Sequence, residues 1–152
     1  MRYFDDFVVG QTFAAGPRSV DAERIRAFAA EFDPQPSHFD DAAARGTLFQ
    51  GLAASGWHTA ALTMRLLCDS DLKPAGGIVG LGFDELRWPL PVRPGDELRI
   101  QSEVIELRLS KSRPGMGLVR LKTTTRNQDG RTVQILVGTL IVPSRDKAEY
   151  QT

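Results

Sequence analysis

The sequence predicts a two-layer α+β domain, one nearly all-apolar helix packed against one large curved antiparallel sheet. Three observations carry that expectation. Helical spacing of apolar residues is confined to the first half of the chain, and after Gly77 the period changes to two. Between those halves, the stretch 53–68 is so short of polar surface that it calls for burial on several sides.

The elements follow in order. Phe4, Phe7, Val8 and Val9 form an extended arm up to a turn at Gly10, Gln11–Ala15 a first strand, and Gly16-Pro17 its end. A helix capped by Ser19 or Asp21 runs to Phe32, with Ile25, Phe28, Ala29 and Phe32 on one face. Pro34 ends it and leaves Asp33 at its tip. Asp40 or Asp41 caps a short helix through Arg45, broken at Gly46. The main helix covers 53–68, with Trp57, Ala60, Ala61, Met64, Leu67 and Cys68 as its most apolar stripe.

Beyond Gly77, Ile78–Trp88 reads as a strand, and Arg93-Pro-Gly-Asp96 as a turn. Leu98, Ile100, Ser102 and Val104 alternate, then Ile105, Leu107 and Leu109 alternate in the opposite phase. One extra residue predicts a β-bulge near 104–105. Val119–Arg126 and Thr132–Val142 flank a hairpin turn, Asn127-Gln-Asp-Gly130. Apolar residues on both faces of the last strand place it inside the sheet. The tail 146–152 is expected to be loose, and 1–152 to form a single domain.

Composition narrows the function. The 152 residues carry 19 Lys plus Arg and 19 Asp plus Glu, a net charge of zero that argues against electrostatic binding to nucleic acid or membranes. No apolar run approaches a bilayer span, and the opening Met1–Phe7 lacks the apolar core of a secretory signal. Cys68 is the single cysteine, and the histidines are His38 and His58 alone, so neither a disulfide nor a multi-histidine metal site is expected. The expected location is the cytoplasm.

The chemistry concentrates in Asp33-Pro-Gln-Pro-Ser-His38 and Ala54-Ser-Gly56-Trp-His58. Two prolines hold a carboxylate and an imidazole on a stiff non-helical loop. Ser55 caps the following helix, whose first turn offers unpaired N–H groups and partial positive charge. An acid, a base and an anion-stabilising helix end suit proton chemistry beside a carbonyl. Gln35 is expected to fix the loop, His58 to be structural and Cys68 to lie in the core.

These motifs resemble the MaoC-like dehydratases, the family of the (R)-specific enoyl-CoA hydratases. The resemblance opens at Tyr3–Phe13 and continues through Phe28-Ala-Ala. The signature, roughly Asp-x-Asn-Pro-x-His followed by an acidic residue, reads Asp33-Pro-Gln-Pro-Ser-His38 with Asp40 beyond. Gly56 matches the glycine heading the central helix. Gln35 replaces the usual Asn, Ser55-Gly56 the commoner His-Gly, and Met64 a helix serine.

The resemblance implies a hot-dog fold, a curved antiparallel sheet wrapped around a long central helix. It implies Asp33 and His38 as an acid–base pair flanking one water, and the Gly56 N–H as the thioester-oxygen donor. Gln35 and Ser55 are the positioning residues. The implied reaction is reversible addition of water to a trans-2-enoyl-CoA, giving a 3-hydroxyacyl-CoA. Coenzyme A is then part of the substrate, with no separate cofactor and no metal. A homodimer or dimer of dimers is expected. The alternatives are a hot-dog acyl-CoA thioesterase and a non-catalytic acyl-thioester binding module or subunit.

Overall fold

A computed structural model describes residues 1–145, and the expected loose tail at 146–152 lies outside the described residues. The first strand, β1 (Thr12–Ser19), does not stop at Gly16-Pro17. It continues through them with a register shift between Ala15 and Arg18 against its neighbour. The correction has a local cause: proline is tolerated at an edge-strand bulge, where no ladder N–H is needed, and β1 is an edge strand.

Asp21 caps α1 (Ala22–Phe32), its side chain accepting from the Arg24 N–H. Ile25 and Ala29 are buried, but Phe32 is 64% exposed, so the expected four-residue face is narrower than its spacing suggested. Asp33 is the C-cap residue. A short 3-10 turn (Pro36–His38) follows rather than a fully irregular loop, and Asp40 caps α2 (Asp41–Arg45).

The principal helix, α3 (Gly56–Asp69), starts later than its apolar composition predicted. Ala53 and Ala54 spend their N–H groups on Ser37 O and Val92 O instead of on a helical turn. Its buried face is also not the predicted stripe. His58, Thr59, Leu62, Thr63, Leu66 and Leu67 are inside, whereas Trp57, Met64 and Cys68 are exposed. Cys68 is therefore not a core residue. Partner hydroxyls and amides decided the face: Thr63 Oγ1 lies 2.7 Å from Thr125 Oγ1 and accepts from Gln134 Nε2 at 3.1 Å. A polar residue is buried cheaply once its hydrogen bonds are met inside.

Four further strands complete the sheet: β2 (Gly80–Arg87), β3 (Glu97–Leu109), β4 (Met116–Arg126) and β5 (Thr132–Pro143). All pairings are antiparallel, in the order β1-β3-β4-β5-β2. The predicted bulge is present, as a register shift between Val104 and Glu106. Asn127 Oδ1 accepts from the N–H groups of Asp129 and Arg131, and Gly130 takes φ +74° to close the β4–β5 turn. β5 is interior, as expected, but β4 holds the centre. Ile25, Leu66, Leu98, Val104, Val119, Val133 and Val142 form the fully buried centre of the core. Burying a Leu or Val side chain contributes about 1.5–3 kcal/mol.

Candidate active site

The tip of α1 and the 3-10 turn bring a carboxylate against an imidazole. Asp33 Oδ2 lies 3.3 Å from His38 Nε2, both largely removed from solvent. Asp33 is held in place by its helix, its N–H donating to Ala29 O, and by two side chains. Gln35 Nε2 donates to Oδ1 at 2.6 Å, and Ser55 Oγ donates to Oδ2 at 2.6 Å. The Ser55 and Gln35 bonds, in that order of weight, hold the Asp33 carboxyl below its ordinary range against the opposing effect of burial; the His38 ring adds to the lowering.

His38 is fixed from its other side. Nδ1 lies 2.7 Å from Ala53 O, and a carbonyl only accepts, so Nδ1 carries a proton and Nε2 is the atom presented to Asp33. The Ala53 N–H donates to Ser37 O, which ties this segment to the histidine turn in both directions. The Phe49 ring covers the imidazole edge-on, centroids 5.7 Å apart.

Ser55 joins the pair to the helix. Its hydroxyl donates to Asp33 and accepts from the Trp57 N–H, so one residue supports the acid and caps α3. Gly56 follows as the first helical residue, where N–H groups lack intrahelical partners. All five residues singled out in the sequence, Asp33, Gln35, His38, Ser55 and Gly56, thus belong to one neighbourhood. A cavity of about 470 Å³ opens beside it, lined by Leu48, Phe49, Gly56, Thr59, Trp88 and Leu90. A cleft of similar size lined by Ala14, Arg99, Gln101 and Arg126 includes none of the five.

Sequence reasoning missed two supports. Arg93, taken only as part of a turn, sends Nη1 to Gly51 O at 2.9 Å and to Leu52 O at 3.3 Å, and Nη2 to Phe49 O. It clamps the segment that leads to Ala53. Trp88, taken as the end of a strand, lies against Gly56 and donates Nε1–H to Gln134. Nothing in their local spacing marks these contacts, because the hydrogen bonds of Arg93 and Trp88 reach more than 40 residues along the chain and Gly56 lies 32 residues before Trp88.

A MaoC like domain model matches residues 6–127. The chain belongs to the MaoC-like domain family. Its fold is that family's hot-dog fold. A MaoC-like dehydratase from Rhodospirillum rubrum superposes with a TM-score of 0.91 at 50% identity, covering 95% of this chain and 99% of that one. The (R)-hydratase PhaJ1 from Pseudomonas aeruginosa superposes at 0.73 with 30% identity, over 94% and 86% of the two chains. A mesaconyl-CoA hydratase from Cereibacter sphaeroides is 41% identical over 71 residues, which is 47% of this MaoC-like chain and 20% of that larger protein.

Proposed function

We propose that this MaoC-like protein is a hydro-lyase that reversibly adds water to a trans-2-enoyl-CoA, giving a 3-hydroxyacyl-CoA. The observation that carries the reading is the Asp33–His38 pair, 3.3 Å apart, joined through Ser55 to the first turn of α3. The hydratases among its relatives support the reaction class.

Water resting between Asp33 Oδ2 and His38 Nε2 loses a proton to the pair as its oxygen bonds to Cβ of the enoyl group. The double-bond electrons shift toward the carbonyl to give an enolate, and the Gly56 N–H donates a hydrogen bond to its oxygen. A proton from the pair then goes to Cα. The two groups share the transfers. Their positions are braced by hydrogen bonds from Gln35 and Ser55 and to Ala53 O. The proposed reaction uses water and the acyl thioester alone, without a cofactor or metal. The reading includes a cytoplasmic protein; among the described residues no helix is long and apolar enough to cross a membrane.

The test is the loss of conjugated-enoyl absorbance when the protein meets crotonyl-CoA. Asp33→Asn and His38→Ala are each expected to lower kcat by about 10²–10⁴-fold. Free thiol release in place of absorbance loss would assign a thioesterase instead, and binding with neither signal a non-catalytic module.

A further inference from the structure

The Trp88 indole lies flat against the first turn of α3. A Cβ placed on Gly56 would stand 2.7–2.8 Å from Cδ2, Cε2 and Cζ2 of that ring, so the ring occupies the space that any side chain at this position would need. A glycine is required there by the tryptophan itself. The ring is also anchored at depth. Its Nε1–H donates to Gln134 Oε1 at 2.9 Å, and Gln134, with no solvent exposure, sends Nε2 to Thr63 Oγ1 at 3.1 Å. Thr63 in turn lies 2.7 Å from Thr125 Oγ1. A buried polar relay thus runs from β4 through the middle of α3 and β5 to the indole on its first turn. Burying a Gln and two Thr in an apolar core is costly unless every group is paired and the geometry is fixed, and the 40% exposed Trp88 completes the pairing of Gln134 from the rim.

We propose that Trp88 is a positioning residue for the oxyanion donor: the relay fixes the indole, and the indole fixes the backbone at Gly56 and with it the direction of the Gly56 N–H. The inference rests on the hydratase reading above. A preorganised donor in a dry site stabilises developing negative charge far more than a mobile, wet one. Trp88 acts through Gly56: among the described residues its indole N–H bonds to Gln134, and it makes no hydrogen bond to Asp33 or His38.

The experiment compares wild type, Trp88→Ala, Trp88→Phe and Gln134→Leu with crotonyl-CoA as substrate. It also follows the red shift of the 2,4-hexadienoyl-CoA absorption band on binding, which reports polarisation of the thioester carbonyl by its donor. Trp88→Ala is expected to lower kcat about 10- to 100-fold with KM changed less than about 3-fold. Its pH limbs stay where they are, and its band shift shrinks. Trp88→Phe, which keeps a ring on Gly56, recovers most of the rate, and Gln134→Leu falls between. If Trp88→Ala does not fold, Gln134→Leu decides: a kcat loss of about 10-fold at unchanged KM supports the role. A wild-type kcat and band shift in whichever variant decides overturns it while leaving the hydratase reading intact. A wild-type protein that hydrates no enoyl-CoA overturns both.

Discussion

At the scale of single residues, Ser55 has the widest reach. Its hydroxyl is the largest influence holding the Asp33 carboxyl below its ordinary pKa, and it caps α3 as well. Ser55→Ala is expected to raise the Asp33 pKa toward the ordinary value, which a carboxyl ¹³C NMR titration measures. The same variant is expected to lower kcat by about 10-fold, equivalent to about 1.4 kcal/mol of barrier. The stability consequence has a definite sign. A carboxyl whose folded pKa is depressed contributes stability above its unfolded pKa, and that contribution is lost as pH falls through the folded value. The gap in thermal stability between wild type and Ser55→Ala is therefore present at neutral pH and narrows in acid.

At the scale of elements, α1 and α3 meet through an aromatic stack. Phe28 and His58 lie parallel, centroids 4.7 Å apart, and His58 Nδ1 is buried without a hydrogen-bond partner among the described residues. Burial first, then the nearby Arg24, push the His58 pKa down, with Asp21 opposing. The unfolded chain then binds a proton that the folded chain resists, so stability falls as pH drops from about 6.5 toward the lower folded value. Because α1 delivers Asp33 at its tip, the stack bears on the site as well as on the fold. In His58→Phe the acid-side loss of melting temperature is expected to be smaller by about 2–4 °C, measured by circular dichroism between pH 7 and pH 5. An equal pH slope in both proteins would remove His58 from the account.

At the scale of the whole molecule, one face is unfinished. The edge strand β2 exposes Leu81 and Phe83, the latter at 64%, next to Trp57 at 59% on α3. Between them runs an apolar groove of about 230 Å³ lined in part by Trp57, Met64, Ile78, Phe83 and Leu136. Unpaired edges and large exposed apolar patches invite association. A second copy placed edge to edge at β2 is our proposed occupant, forming an interface in the range of about 1,200–2,000 Å² that stable pairs bury. Light scattering after gel filtration is expected to give a dimer or a dimer of dimers for wild type and a monomer for Phe83→Lys. A monomeric wild type at micromolar concentration would end this part of the proposal.

The sequence by itself determined the order of elements, the bulge beside Val104 and the β4–β5 turn, and it singled out five residues that the fold brings into one neighbourhood. Each is written in local signals: caps, prolines, a phase change in alternation, a turn of fixed spacing. Tertiary structure alone decided which face of α3 went inside. Apolar periodicity measures preference for burial, but Thr59, Thr63 and His58 displaced Trp57, Met64 and Cys68: Thr63 found hydrogen-bond partners on the sheet, and His58 a stacking partner in Phe28 on α1. It also decided the work of Arg93 and Trp88, whose hydrogen-bond partners lie more than 40 residues away in the chain. Short-range pattern cannot encode a contact whose second half is set by how distant strands pair.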